Sequence, residues 1–253
     1  MTKFTSQNPD DFAIGVSMFG PINLIKGNDD YGKVLNTPKP GWSGFHLVNS
    51  LINNLHVKKE QIFVELDVNC AAYLEYKFGN HEVNSLAYIT IGTGVGVGLM
   101  VGGKINKGLE GPEGGHIRVR RHEEDNFEGN CPFHKDCLEG LIANGAIKLR
   151  KNLQSVEECK NIDSADQVWD FVAYYLAQLC LSLLLLPSVE KIVIGGGLAN
   201  RTSMLQKTRE HFFRLNNNYI NNPNLSLEGL KTYITRTNFM NNSGILSAYS
   251  IIQ

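Results

Sequence analysis

Apolar residues form two short runs in the first part of the chain, each bounded by polar or turn-forming residues. The runs Phe12–Ser17 and Ile62–Leu66 have the length and composition of buried strands. After the second run, apolar residues recur at helical spacing from Asp67 to Phe78, and Gly79 follows as a stop signal. The pattern predicts a helix over 67–78 with Asp67 at its cap. A strand that leads directly into a helix is typical of α/β proteins.

The middle of the chain combines apolar runs with glycine. Residues 86–105 hold two apolar runs around the glycines at 92–98, which predicts a β-hairpin, with a further turn signal at Gly102 and Gly103. The pattern Ser164–Gln167 predicts a capping box ahead of a long core helix that ends before Pro187.

The last part of the chain repeats the order of strand, glycine turn and helix. Lys191–Ile194 predicts a strand that runs into the turn Gly195–Gly197, and Thr202–Leu215 predicts a surface helix. Asn216–Leu230 is rich in asparagine and predicts a loop, and Ser243–Ile252 has the apolar spacing of a short helix. The whole pattern predicts an α/β fold.

Composition supports a globular protein and excludes several classes. The chain has 253 residues, 42% of them hydrophobic and 19% charged, and its formal net charge is -1. These values exclude collagen, a disordered chain and a coiled coil. A nucleic-acid partner is not expected, because the only cationic run is the short stretch 118–122.

Neither the start of the chain nor its apolar segments predict a membrane or secretory protein. Residues 1–11 lack a basic stretch followed by an apolar one, and the most apolar segment, Leu179–Leu186, contains Ser182 and ends at Pro187. The five cysteines are an odd number, which favours metal binding in a reducing compartment over a disulfide framework. We therefore expect a cytoplasmic protein.

The most specific signal is a cluster of cysteine and histidine. Cys131, His134 and Cys137 have the spacing C-x2-H-x2-C, and His116 lies upstream. Two thiolates and two imidazoles suit tetrahedral Zn²⁺, and four protein ligands would make the site structural. The alternative is a pair of buried cysteines beside surface histidines. A zinc finger that binds nucleic acid is disfavoured, since no basic helix follows.

Three carboxylates lie at positions that suit a ligand site. Glu113 and Glu139 flank the cysteine cluster, where they could bind a polyhydroxylated ligand or remain solvated surface charges. Asp67 lies where a strand ends and a helix begins, the usual place for a ligand-facing residue in an α/β sheet. It could take a proton from a hydroxyl during phosphoryl transfer, or serve as a helix cap, or both.

Two glycine-rich turns follow predicted strands. The turns Gly92-Thr93-Gly94-Val95-Gly96-Val97-Gly98 and Gly195–Gly197 would let backbone N–H groups approach a phosphate or a purine, and Thr93 adds a hydroxyl. Neither matches the P-loop or the dinucleotide-binding fingerprint, so a dehydrogenase is disfavoured. Simple turn chemistry is the alternative for each.

Seven motifs in order resemble the ROK sugar kinases, and most closely the zinc-containing bacterial-type fructokinases of that family. The resemblance runs from about residue 12 to the C-terminus and rests on these stretches: Ile14–Pro21, Thr37–Trp42, Asp67–Ala72, Ile89–Gly94, Pro112–His116, Cys131–Gly140 and Ile194–Gly197. It departs from the family pattern at Gly114, where members usually carry Met; we expect this change to add backbone freedom and to have a small effect.

The resemblance implies an actin-like ATPase fold of two α/β lobes, with sugar and ATP in the cleft between them. Asp67 would be the catalytic base, and Asn69, Glu113, His116 and Glu139 would contact the sugar. Thr93 and Gly94 would line the phosphate side, and Gly195, Gly196, Gly197 and Leu198 the adenosine side. Zinc would bind His116, Cys131, His134 and Cys137, Mg²⁺ would accompany ATP, and a homodimer is expected.

The resemblance also raises a question about the first lobe. Family members begin with a strand, an Asp-x-Gly-Gly-Thr phosphate loop and a second strand, and residues 1–11 do not match them. We therefore expect a truncated N-terminal lobe over 1–79, joined by the C-terminal helix 243–253, and a second lobe over 80–242 that carries the zinc loop 113–140. The leading hypothesis is a fructokinase acting on the 6-hydroxyl. A glucokinase or mannokinase and a non-catalytic sugar-binding pseudokinase are the alternatives.

Overall fold

The computed structural model describes residues 12–37, 39–109, 111–240 and 242–253. Residues 1–11, the start of the expected truncated lobe, lie outside the described residues, as does Pro38 in the Thr37–Trp42 motif. Within the described part of the chain the strands are, in chain order, β1 (Ile14–Met18), β2 (Ile62–Leu66), β3 (Leu86–Ile91), β4 (Val95–Val101), β5 (Lys104–Ile105), β6 (Lys191–Gly195) and β7 (Ile234–Arg236).

Eight α-helices accompany these strands in the described residues. They are α1 (Leu47–Leu55), α2 (Asp67–Phe78), α3 (Leu138–Ile142), α4 (Asn144–Arg150), α5 (Val168–Leu185), α6 (Thr202–Asn216), α7 (Leu230–Tyr233) and α8 (Ser243–Ser250). Short 3-10 turns lie between them, among them Gly114–His116 and Gly197–Asn200.

The strands form two sheets. β1 and β2 pair in parallel, and the other five strands follow the order β5-β4-β3-β6-β7. In the larger sheet β3 and β6 are parallel, as are β6 and β7, whereas β3–β4 and β4–β5 are antiparallel hairpin pairs. The mixed strand and helix content confirms the predicted α/β class.

Both faces of the five-stranded sheet are covered by helices, and β3 contributes side chains to both faces. Ala87, Ile89 and Ile91 point into the main core, which also holds α5 and α6, while Tyr88 points to the opposite face. There it packs with Ala71 and Ala72 of α2. Successive strand side chains alternate between faces, so one strand serves both layers.

The close approach of α2 to β4 depends on two glycines of the predicted glycine-rich bend. A Cβ at Gly98 would lie 2.0 Å from the carbonyl oxygen of Val68, and one at Gly96 would lie 2.7 Å from the Val68 side chain. These two glycines therefore belong to β4 and make room for the helix, so they are not part of a phosphate-binding turn. Gly92 and Gly94 lie in the turn itself, between the end of β3 and the start of β4.

Helix α5 has the length and apolar composition of a membrane-crossing segment. It contributes Trp169, Tyr175 and Leu176 to the main core, each with 0% exposure, and 61% of its most apolar window is buried. It is thus the core helix that the 164–187 pattern predicts, with most of its apolar surface already covered by the protein.

Several sequence predictions are confirmed and two local ones are wrong. The strand Ile62–Leu66 and the helix 67–78 have the predicted bounds. The capping box at Ser164 is wrong, because the N–H of Val168 is accepted by Asp166 Oδ1 at 2.9 Å. Asp67 is also not the cap residue: Leu66 occupies that position, and Asp67 is the first residue of α2. Helix α1 and strand β7 were not among the predicted elements.

Helix α8 returns the chain end to the first sheet. It lies against β1 and α2, and a Cβ at Gly15 of β1 would lie 2.0 Å from the carbonyl oxygen of Ala248. The last helix and the first described strand are therefore in backbone contact. This contact brings Ser243, at the start of α8, near the start of α2.

Candidate active site

Asp67 lies at the junction between strand and helix that its position in the sequence indicates. Since β1 and β2 are parallel and in register, Ser17 and Asp67 lie at the same edge of the small sheet. Asp67 and Ser17 line a cavity of about 170 Å³ together with Thr90 of β3 and Ser243 of α8. The cavity is thus bounded by elements from both sheets and is rich in hydroxyl groups.

The surroundings of Asp67 change its acidity. Desolvation by the surrounding protein raises the pKa of the carboxyl group, although the residue is exposed at the cavity mouth. The N–H of Val68, 2.8 Å from Oδ1, and the positive charge of Lys39 lower the pKa in part. A carboxylate with a raised pKa is a better proton acceptor than a fully hydrated one.

Lys39 belongs to the Thr37–Trp42 motif and comes close to Asp67. Its Nζ lies 3.3 Å from the centroid of the Phe19 ring, which also meets Trp42 edge-on at 5.3 Å. Desolvation lowers the pKa of Lys39, and the charge of Asp67 raises it in part. The motif therefore places the Lys39 cation, which contacts the Phe19 ring, near the candidate base.

The two predicted glycine turns are brought side by side by the sheet. β3 and β6 are parallel neighbours with Thr90 opposite Gly195, so the turns that follow them leave the same edge. A Cβ at Gly92 would lie 3.6 Å from the N atom of Gly197. Gly196 has φ of +84°, and a Cβ there would lie 2.4 Å from the carbonyl oxygen of Ile91, so glycine is required.

Glu139 and Glu113 approach the sheet from the cysteine cluster. Glu139 of α3 is half-buried, and its Oε2 accepts the N–H of Val95 at 2.9 Å, directly after Gly94. Glu113 is exposed and precedes the 3-10 turn Gly114–His116, which packs on β4. A Cβ at Gly114 would lie 2.6 Å from Val97 Cγ2. Close packing therefore accounts for the glycine here, in addition to the backbone freedom expected from the sequence.

The four predicted metal ligands converge. The ligand atoms of His116, Cys131, His134 and Cys137 all lie within 4.8 Å of one another. His116 Nδ1 is 3.8 Å from Cys131 Sγ and 3.5 Å from Cys137 Sγ, and His134 Nδ1 is 3.8 Å from Cys131 Sγ. Zinc bonds of about 2.3 Å to sulfur and about 2.05 Å to nitrogen place the two ligand atoms about 3.6 Å apart in a tetrahedron. The cluster therefore fits a metal ion of this kind.

The cavity that Asp67 lines does not include Asn69, Glu113, His116 or Glu139, the predicted sugar contacts. Of these, Asn69 is nearest to Asp67 along the chain. It lies two positions along α2, and its side chain lines a different cavity, of about 280 Å³, together with Leu66 and Lys107. The two cavities flank the first turn of the helix. Nδ1 of His116 lies near the thiols of Cys131 and Cys137, and Glu139 accepts the N–H of Val95.

Sequence reasoning missed several residues around Asp67. Ser17, Thr90 and Ser243 carry the hydroxyl groups of the smaller cavity, and they come from separate parts of the chain. Ser17 ends a predicted strand, Thr90 lies within one, and Ser243 starts a predicted helix, and hydroxyl residues at such positions are too common to be selected from the sequence. Glu65 was also missed, although it is the single charged residue inside the apolar run 62–66.

The structure has the actin-like ATPase fold, as the comparison with solved structures shows. Its parts are a mixed five-stranded sheet, a second parallel sheet, and helices on both faces of the larger sheet. A ROK family glucokinase from Streptomyces griseus, solved in complex with glucose and AMPPNP, matches with a TM-score of 0.67 at 20% identity. The match covers 94% of this chain and 80% of that one.

Sequence comparison identifies the family. A fructokinase of Lactococcus lactis subsp. cremoris is 38% identical over 212 residues, which cover 83% of this chain and 70% of the relative. A fructokinase of Pediococcus pentosaceus is 36% identical over 242 residues, covering 95% and 80% respectively. The family model described as "ROK family" matches residues 1–253. The chain belongs to the ROK family.

Proposed function

We propose that this protein is an ATP-dependent hexose kinase that phosphorylates the 6-hydroxyl of fructose. The observation that carries the proposal is the position of Asp67, at the start of α2 in a cavity that also contains Thr90. Thr90 is two residues before Gly92 and opposite Gly195, so the candidate base lies near the edge where both glycine turns begin. Relatives named fructokinase, at 34–38% identity, support fructose as the substrate.

In this mechanism Asp67 accepts the proton of the attacking sugar hydroxyl. The hydroxyl oxygen forms a bond to the γ-phosphorus of ATP, and the bond between that phosphorus and the bridging oxygen breaks, which releases ADP. The raised pKa of Asp67 suits a group that must take this proton. Mg²⁺, bound with ATP, would neutralise charge on the phosphate oxygens.

The remaining roles follow from the placement of each residue. Thr93 and Gly94 would line the phosphates, and Gly195, Gly196, Gly197 and Leu198 the adenosine, because their two turns adjoin. Asn69, Glu113, His116 and Glu139 would contact the sugar. Since Nδ1 of His116 faces the two thiols, its Nε2 on the other side of the ring is the atom for a sugar hydroxyl.

Zinc would bind His116, Cys131, His134 and Cys137 in a closed four-ligand site. Such a site is structural, since it leaves no position for substrate. Its effect would be to hold together the turn that follows Glu113 and the start of α3, where Cys137 precedes Leu138 and Glu139. The ion would thereby fix the two carboxylates relative to each other.

The larger organisation also remains a proposal. Two α/β lobes would comprise residues 1–79 with 243–253 and residues 80–242, and the contact of α8 with β1 supports this division. The buried free cysteines support a cytoplasmic location. A homodimer is proposed on the family resemblance alone.

The decisive experiment follows ADP release from Mg·ATP after addition of fructose, glucose or mannose. We expect the highest kcat/KM with fructose, and a loss of about 10²- to 10⁴-fold in kcat for Asp67→Asn with unchanged sugar affinity. Asp30→Asn, at an aspartate with a half-exposed side chain paired with Lys33, is the matched control. Preference for glucose or mannose would favour the other kinase specificities. Sugar binding without ADP release would favour the non-catalytic alternative.

A further inference from the structure

The Tyr88 hydroxyl is a polar group on a buried side chain that the proposed mechanism does not use. Tyr88 lies in β3 and is 4% exposed, and its ring packs against Ala71 and Ala72 of α2. Within the described part of the chain its hydroxyl makes no hydrogen bond. Since buried polar groups nearly always have a partner, a hydroxyl without one indicates a group that serves a ligand.

The other buried tyrosines show how uncommon this is. Tyr31, Tyr175 and Tyr233 are 0–4% exposed. Each of their hydroxyls has a protein partner: the Val64 N–H at 2.9 Å from Tyr31, Asp125 Oδ2 at 2.6 Å from Tyr175, and the Val189 carbonyl oxygen at 3.0 Å from Tyr233. Among the buried tyrosines of the described residues, Tyr88 is therefore the exception.

The hydroxyl of Tyr88 lies against a glycine. A Cβ at Gly195 would lie 1.9 Å from the Tyr88 hydroxyl oxygen, so the missing side chain of Gly195 leaves the space that this oxygen occupies. Gly195 is the last residue of β6 and the first of the turn Gly195–Gly197. The hydroxyl therefore reaches the edge of the sheet where this glycine turn begins.

Tyr88 also lines the cavity that contains Asp67. Tyr88 and Thr90 are two residues apart on β3 and so point to the same face, and both line this cavity of about 170 Å³. The buried oxygens that are fully enclosed and unpartnered belong to Asn69, Asn144 and Thr235. The Tyr88 hydroxyl is not one of them, so it keeps surface that a bound molecule can contact.

The surroundings keep this hydroxyl protonated. Desolvation, together with the negative charges of Glu75 and Asp67, raises the pKa of Tyr88 to about 12. At neutral pH the group can therefore donate a hydrogen bond, and its strongest acceptor is an anionic oxygen. In the proposed reaction the γ-phosphoryl group travels between the hexose hydroxyl beside Asp67 and the nucleotide beside the glycine turns, and it supplies such oxygens.

We propose that Tyr88 is a catalytic residue whose hydroxyl donates a hydrogen bond to a non-bridging oxygen of the γ-phosphoryl group as that group passes from ADP to the hexose. The proton stays on Tyr88 throughout, while Asp67 takes the proton of the attacking hexose hydroxyl. The bond stabilises negative charge on the transferred group. This inference rests on the proposed hexose kinase function and deepens it.

The test is Tyr88→Phe, which removes one oxygen atom and keeps the ring. With Mg·ATP and fructose, kcat should fall about 10- to 100-fold, the effect of one hydrogen bond to a charged group. The fructose Kd, measured by calorimetry without nucleotide, should stay at the wild-type value. Binding of AMPPNP, which carries a γ-phosphate, should weaken, whereas binding of ADP should not. The melting temperature should also be unchanged, because the hydroxyl has no protein partner to lose.

Tyr233→Phe is the matched control. It makes the same change at a tyrosine of equal burial whose hydroxyl does have a partner, Val189, which precedes β6 at the end of that strand away from Gly195. The opposite result is expected. The melting temperature should fall by about 2–4 °C, and kcat and nucleotide binding should be unchanged.

Each outcome decides the proposal. If the wild type is active and Tyr88→Phe keeps its kcat, the role of Tyr88 is wrong and the kinase function stands. Equal weakening of AMPPNP and ADP would also overturn it, since the contact would not be with the γ-phosphate. A Tyr88→Phe protein that is destabilised or does not fold would show that the hydroxyl has a structural partner, which likewise contradicts the proposal. If the wild type releases no ADP with any hexose, the proposed function fails, and this inference fails with it.

Discussion

The metal cluster permits a prediction in which a single atom is changed. Cys131→Ser replaces one predicted zinc ligand, whose Sγ lies 3.8 Å from both His116 Nδ1 and His134 Nδ1. These separations match the edge of about 3.6 Å that tetrahedral zinc imposes, so the ligands need little rearrangement to bind the ion. The variant should therefore lose a fully formed site.

The expected size of the effect follows from what else holds the loop. In the segment 128–136, Cys131 is the only residue that is buried. Zinc contributes about 10–16 kcal/mol in zinc-finger peptides, as much as the whole unfolding free energy of about 5–15 kcal/mol of an ordinary domain. With so little apolar burial to replace the ion, the segment 128–136 should unfold locally while the core around α5 remains.

The assay combines metal content, limited proteolysis and sugar binding. The wild type should carry close to one zinc per chain, and Cys131→Ser or treatment with a chelator should remove it, expose 128–136 to protease and weaken fructose binding. Cys159→Ser, a buried thiol outside the cluster, is the control and should keep its zinc. A wild type without zinc, or a Cys131→Ser protein with unchanged zinc and proteolysis, would refute the four-ligand assignment.

Two further predictions concern acidity. Because desolvation raises the pKa of Asp67 and the base must be deprotonated, kcat/KM should fall as the pH drops through a value above that of an ordinary aspartate, and a pH profile measures this limb. At Asp125, burial opposes ionisation, but hydrogen bonds from Arg150, Tyr175 and the Phe127 N–H lower its pKa overall. Its contribution to stability is therefore present above the unfolded pKa of about 3.9 and is lost as the pH falls through the lower folded value. Asp125→Asn should lower the free energy of unfolding, measured with urea at neutral pH, by about 3 kcal/mol, because it leaves Arg150 buried without its charge partner. It should also reduce the loss of stability at acid pH. Equal stability of the two proteins at pH 7 would contradict this prediction.

Local sequence patterns were sufficient for the elements that carry strong periodicity. The run Ile62–Leu66 and the helix 67–78 could be placed from the sequence, because their apolar spacing and the Gly79 stop signal agree. Strand β7 was missed, since it has three residues and is held by its pairing with β6. Helix α1 was missed although Leu47, Leu51 and Leu55 recur at helical spacing, so the local pattern does contain a signal for it. The error at Ser164 is local: Asp166, two residues further on, supplies the acceptor for the N–H of Val168.

The candidate site divides in the same way. The sequence by itself determined the donor set of the metal cluster, because its chemistry lies in residue types and spacing within the stretch 116–137. It also indicated that Asp67 lies at the junction of a strand and a helix, since this residue directly follows the apolar run 62–66 and begins the helical pattern 67–78.

Only the tertiary structure decided how the glycines are used and which side chains surround Asp67. Parallel pairing of β3 with β6 brings two glycine turns together across about a hundred residues, a contact that no local pattern encodes. The close approach of α2 to β4 shows that Gly96 and Gly98 make room for packing. The ion pair between Glu65 and Lys107 likewise joins two distant parts of the chain. Apolar periodicity reports burial and local geometry, whereas the identity of a partner across the fold depends on sheet order and register.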